Sequence, residues 1–117
     1  MQHKITLPQL KKYDITQKVI EALADAESRA IIFSITKKGK TASDLSNSLK
    51  IPLSSVYKKL SDLEDLTLIE IEKTILSDAG RRFKVYKSRI NKAEILIKKP
   101  EPTLSLSANW FLWKEYC

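Results

Sequence analysis

The stretch TASDLSNSLKIPLSSVYKKLSDLEDL, from Thr41 to Leu66, constrains the fold more than any other part of the chain. Thr41 followed three residues on by Asp44 is a capping-box pattern, opening a short helix through about Leu49. Leu45 and Leu49 stand on one face of it at i and i+4. Ile51-Pro52 ends that helix, because proline disfavours helical geometry at the residue before it. A second helix is expected from about Leu53 to Asp65, with Val56, Leu60 and Leu63 forming a buried stripe at i, i+4, i+7. The stretch thus reads as two short amphipathic helices hinged at a proline.

The flanks extend the pattern. Residues 1–13 contain Pro8, have no clear period and read as an arm. Asp14 looks like an N-cap, with Gln17 three positions on, and Ile15, Val19, Ile20 and Leu23 lie on one helical face. A core helix is expected over about 26–37 on Ala30, Ile31, Ile32, Phe33 and Ile35, with Gly39 suited to its termination. After the two hinged helices the period changes. Leu68 to Leu76 alternates as a strand, Ser77-Asp78-Ala79-Gly80-Arg81 has turn chemistry, and Phe83 to Ser88 resumes the alternation, so the three make a hairpin. Ala93 to Ile97 is expected either to pair as a further strand or to extend the returning one. Lys98-Lys99-Pro100-Glu101-Pro102 is a linker-like break, and Trp110, Phe111, Trp113 and Tyr116 crowd the last residues. The expected organisation is an arm at 1–13, a domain at 14–99 and an aromatic tail at 100–117.

Several function classes are disfavoured. Cys117 is the single cysteine, so no intrachain disulfide can form, and with His3 it makes no metal site, which needs three or four convergent ligands. No catalytic constellation of serine, cysteine or metal ligands stands out, so no enzyme and no cofactor are expected. No apolar run reaches the length of a membrane span, and the expected location is cytoplasmic. Charge is more informative. The chain carries +7, unevenly: +4 over residues 1–40, −1 over 41–65, +5 over 66–100 and −1 over 101–117. Basic segments on either side of a neutral one suit an anionic partner.

Helix, helix, hinged helix pair and hairpin, in that order, resemble a winged helix-turn-helix transcription regulator of the ArsR/MarR/TrmB kind, with the texture of archaeal members. The resemblance covers about Leu23 to Ile97. It rests on ALADAESRAIIFSI for the lead-in and core helix, TASDLSNSLKIPLSSVYKKLSDLEDLTLIEI for the helix-turn-helix and SDAGRRFKVYKS for the wing. It implies a mainly α fold with a small β-hairpin, a homodimer and double-stranded DNA as partner. Two departures stand out. Paired cysteines and His/Asp clusters are missing, so metal sensing is not expected, and Leu66-Thr67-Leu68 occupies the turn where many relatives place a glycine.

In such a fold the second helix of the motif enters the major groove. With Val56, Leu60 and Leu63 buried, Ser54, Ser55, Tyr57, Lys58 and Ser61 fall on the outer face as candidate DNA contacts, although Ser54 and Ser55 are also common helix caps. Asp62, Glu64 and Asp65, at the far end of that helix, should point away from the groove or pair with lysines. On the hairpin, Arg81 and Arg82 at the tip, then Lys84 and Lys87, are candidates for the phosphate backbone or a narrow minor groove. Lys37, Lys38 and Lys40 would add backbone contacts. The helix at 15–24 and the aromatic tail are the material for a dimer interface, the alternative being that the tail folds back on its own core. Nothing marks a small-molecule pocket. The rival expectation is a winged-helix protein-interaction module, supported by the acidic end of the helix and the aromatic tail.

Overall fold

The computed structural model describes residues 7–110, with side chains from Ile15 onward. Four helices, α1 (Leu7–Ala24), α2 (Ala26–Ser34), α3 (Ala42–Leu49) and α4 (Leu53–Asp65), precede four strands, β1 (Ile69–Leu76), β2 (Arg82–Ser88), β3 (Ile90–Leu96) and β4 (Thr103–Ala108). The strands form two separate antiparallel hairpins, β1–β2 and β3–β4. The fold is therefore mainly α with small β-hairpins, as expected, but with one hairpin more.

Helix α1 begins at Leu7, within the segment read as an arm. Pro8 is compatible with this because the first-turn N–H groups have no intrahelical partner to lose. On its described face Val19 and Leu23 are buried, whereas Ile15 is 56% exposed. Helix α2 is capped by Asp25, whose Oδ2 accepts from the Ser28 N–H at 3.1 Å and the Ser28 hydroxyl at 2.7 Å. It stops at Ser34, earlier than expected, with Ile35 as C-cap. Ile31, Ile32 and Ile35 are fully buried at the centre of the core, while Phe33 is 43% exposed. Residue 33 lies about 200° around the helix from residue 31, so a helix that buries 31, 32 and 35 must turn 33 outward.

Gly39 has a different part from the helix stop expected of it. A Cβ there would lie 2.7 Å from Val85 Cγ1 and 2.8 Å from Glu72 Oε1, so the glycine lets the α2–α3 loop run against the first hairpin. Beside it the backbones of Lys40 and Tyr86 exchange two hydrogen bonds, at 3.1 and 2.9 Å, adding a short rung to that hairpin.

The hinged pair matches the sequence closely. Both bonds of the Thr41–Asp44 capping box are present. Lys50 ends α3 in the left-handed conformation at φ 58°, and the buried Ile51 leads into Pro52, the N-cap of α4. Val56, Leu60 and Leu63 are each at most 1% exposed.

Helix α4 closes at Leu66-Thr67-Leu68. The Thr67 N–H donates to Glu64 O and the Leu68 N–H to Leu63 O, at 2.9 and 3.0 Å, with Leu63 and Leu68 both buried. This is a Schellman closure, which places its penultimate residue in the left-handed region. Thr67 takes it at φ 59°, where glycine would be unstrained. The departure noted in the sequence thus keeps the glycine-type turn and accepts local strain.

Lys98–Pro102, read as a linker-like break, connects β3 to β4, and β4 returns along β3 with Ala93 opposite Leu106 and Ile95 opposite Leu104. The fold continues through the start of the segment assigned to the tail. Asn109 fixes the end of this second hairpin. It is fully buried, its side-chain amide donates to Thr36 O at 2.8 Å and Ser88 O at 2.7 Å, and its backbone N–H donates to Arg89 O at 2.9 Å.

Candidate nucleic-acid interface

Because α4 buries Val56, Leu60 and Leu63, its opposite face is fixed. Ser54, Tyr57, Lys58 and Ser61 are exposed there, and Ser55 is half-buried. The N-terminus of α4 has no side-chain cap hydrogen bond. Ser54 and Ser55 therefore do not serve as caps, and the first-turn N–H groups, at the positive end of the helix dipole, are left unclaimed by a capping side chain.

The wing is closed by a tight tip. Gly80, at φ +81°, donates its N–H to Ser77 O, Ser77 N–H donates to Arg81 O, and the Arg81 N–H donates to the Ser77 hydroxyl. A turn followed by a left-handed glycine is what a short hairpin loop needs. It leaves the side chains of Arg81 and Arg82 exposed, with Lys84 exposed two residues further along β2.

Helix and wing meet at one cleft. Thr41, Ala42 and Ser43 from the start of α3, Tyr57 from α4, and Arg82, Phe83, Lys84 and Tyr86 from β2 line it. Tyr57 is 51% exposed on one wall, and the buried Tyr86 forms part of the other. The Tyr86 phenol is pushed up, first by burial and then by the nearby Glu64 carboxylate and Tyr57, so it stays neutral and can act as a hydrogen-bond donor. Lys58, Arg81, Arg82 and Lys84 form no ion pair among the described residues.

Most of the acidity of α4 lies elsewhere. Asp62 and Asp65 border a second cleft together with Lys18, Glu21 and Asp25, on the α1 side of the helix. Glu64 is the exception: it is half-buried and close enough to act on Tyr86. Lys59 is drawn to the acidic side as well. Its Nζ lies 2.7 Å from Asp25 Oδ2 and 3.6 Å from Glu27 Oε1, tying α4 to the start of α2. The Lys59 ammonium, followed by the Ser28 hydroxyl, lowers the Asp25 carboxyl to about 2.

Lys87 does not join the exposed cations. It is buried at the wing base, where its Nζ donates to Lys37 O at 3.1 Å and lies 3.3 Å from Glu72 Oε2. That carboxylate oxygen is buried without a directed hydrogen bond, so the interaction is electrostatic. Glu72 sits at a bulge between Ile71 and Lys73 in the β1–β2 ladder. Lys37 and Lys38 are exposed, and Lys40 is half-buried.

Sequence reasoning missed the anchoring parts of Lys87 and Asn109, and the Asp25–Lys59 pair. Asp25 three residues before Ser28 was a cap signal; the other two depend on neighbours brought together across the fold. Phe111, Trp113, Tyr116, His3 and Cys117 lie outside the described residues. Among the described residues, no group of three or more His, Cys, Asp or Glu could hold a metal ion, and no helix is long and apolar enough to cross a membrane.

No family model matches the chain, and no curated protein matches it. Among solved structures, the crystal structure of NolR from Sinorhizobium fredii is similar, with a TM-score of 0.57 and 20% sequence identity over 74% of this chain and 81% of that one. At that identity the likeness speaks for architecture. Together with the capped α3, the hinge at Ile51-Pro52, helix α4 and the hairpin that follows it, it establishes a winged-helix fold.

Proposed function

We propose that this protein is a double-stranded DNA-binding regulator of transcription of the ArsR/MarR/TrmB kind, acting in the cytoplasm as a homodimer. Helix α4 enters the major groove and presents Ser54, Ser55, Tyr57, Lys58 and Ser61 to base edges and nearby phosphates. Arg81, Arg82 and Lys84 hold the backbone or a narrow minor groove beside it. Lys37, Lys38 and Lys40 extend the cationic side toward phosphate.

The observation that carries this reading is the division of α4 into two sides. Tyr57 shares a cleft with Arg82 and Lys84, whereas Asp62 and Asp65 line another cleft next to α1. A helix with slightly more acid than base can approach a polyanion if most of its carboxylates face elsewhere and its neighbours supply the cations.

A titration with duplex DNA over a series of salt concentrations tests the reading. Arg81→Ala with Arg82→Ala should weaken binding to all sequences and flatten the slope of log K against log salt by about 2, close to one for each phosphate no longer neutralised. Tyr57→Ala or Lys58→Ala should instead change the preference among sequences. If both sets of variants bind like the parent at low salt, the assignment is wrong.

A second reading has one observation in its favour: Leu53 is 41% exposed beside Tyr57, an apolar pair at the front of α4. On that reading the same face docks a protein. Failure of the parent chain to bind random duplex at low salt would select it.

A further inference from the structure

The second hairpin has two edges, and they differ in how they are protected. Strand β3 carries Lys92 and Glu94, paired at 2.8 Å, and bulges against β4 between Ile90 and Lys92. Charges and bulges are the devices by which proteins block a free strand edge. Strand β4 has neither. Its sequence is TLSLSA, it pairs with β3 on one side alone, and apart from the half-buried Leu104 it is exposed along its length. In a chain that is 30% charged, no residue from Pro102 to Trp113 carries a charge.

The faces of this hairpin are equally unequal. Ala93 stands opposite Leu106 and Ile95 opposite Leu104, so these four share one face; Lys92 and Glu94 lie opposite Ser107 and Ser105 on the other. Ile95 and Leu106 are each 40% exposed. Ala93 and Leu104 pack against the core, so the part of this face left in water is that of Ile95 and Leu106, which further strands would help to cover.

We propose that β4 is where two copies of this chain meet, antiparallel about a two-fold axis, joining the two hairpins into one four-stranded sheet. Charge selects a second copy as the occupant. Each chain carries +7 and would repel its twin at the wing or the α2–α3 loop, but β4 brings no like charges together. A two-fold axis also pairs an edge strand with itself in the antiparallel sense without further adjustment. The apolar face formed by Ala93, Ile95, Leu104 and Leu106 then runs unbroken across both copies. The inference rests on the homodimer reading above and names the surface that makes the dimer.

Sedimentation velocity of the full chain without DNA, over about a hundredfold range of concentration, tests this, because assembly follows mass action. The parent chain should pass from monomer to dimer. Ser105→Lys with Ser107→Lys places like charges across the axis and should raise the dimer dissociation constant at least about tenfold. Ser105→Thr with Ser107→Thr keeps the edge uncharged and should leave assembly intact, while far-UV circular dichroism checks that each variant remains folded. A dimer indifferent to the lysines overturns the β4 interface and leaves the two-copy reading standing. A chain that stays monomeric overturns both, and neither result bears on whether α4 and the wing hold DNA.

Discussion

The two hairpins share a topology and differ in almost everything that decides what a hairpin does. The wing has two exposed arginines at its tip and a base held by a buried ion pair between Lys87 and Glu72. The second hairpin has an uncharged free edge and a base held by a neutral amide, Asn109, between two carbonyls. Within β2, Arg82 and Lys84 are exposed while Val85 to Ser88 are buried. The same strand therefore supplies free cations at one end and an anchor at the other. A positive residue on a hairpin means little until its depth is known.

The contrast can be broken most forcefully at Lys87. Lys87→Met leaves the Glu72 carboxylate buried and uncompensated and should cost about 3 kcal/mol in urea unfolding. Lys84→Met, nearer the tip and exposed, should stay within about 0.5 kcal/mol of the parent. Equal effects would mean that the wing has no distinct base.

Asn109 should rank next. Asn109→Ala removes two hydrogen bonds and strands the Thr36 and Ser88 carbonyls, at a cost of about 2 kcal/mol. Amide hydrogen exchange should quicken in β3 and β4 and stay slow in β1 and β2, if the hairpins are separate units. Exchange that quickens equally in both would join them into one.

The smallest effect belongs to an ion pair outside both hairpins. Asp25 has a lowered folded-state pKa, so the stability it contributes is present above its ordinary value of 3.8 and is lost as pH falls toward about 2. Its side chain is 42% exposed, so solvent screening holds the contribution under about 1 kcal/mol. Asp25→Asn should flatten the acid limb between about pH 4 and pH 2 in thermal unfolding, lowering stability by under about 1 kcal/mol at neutral pH and converging with the parent at low pH.

Much of this was legible in the sequence because the signals were local. The Thr41–Asp44 box, the Ile51-Pro52 stop and the Val56, Leu60, Leu63 stripe each involve residues within one or two helical turns, where backbone chemistry dictates the outcome. The wing tip belongs with them, since Ser77 to Arg81 closes through its own hydrogen bonds. Lys98 to Pro102 shows the limit of such reading. Two prolines and three charges mark a break in regular structure, but they do not say whether the chain departs or doubles back. The partner strand decided that, and TLSLSA could be recognised as a strand only once it had β3 beside it.

The sequence by itself determined the helix pair, the first hairpin and which face of α4 is buried, because periodicity and capping act through neighbours along the chain. It also determined that cations flank a neutral centre. Only the tertiary structure decided which of those cations are available. Lys59 is taken by Asp25, and Lys87 is buried against Glu72, while Lys58, Arg81, Arg82 and Lys84 remain exposed and outside any ion pair among the described residues. An ion pair is a matter of distance in space, and residues 25 and 59, or 72 and 87, come within 4 Å of each other only after the helices and strands have packed.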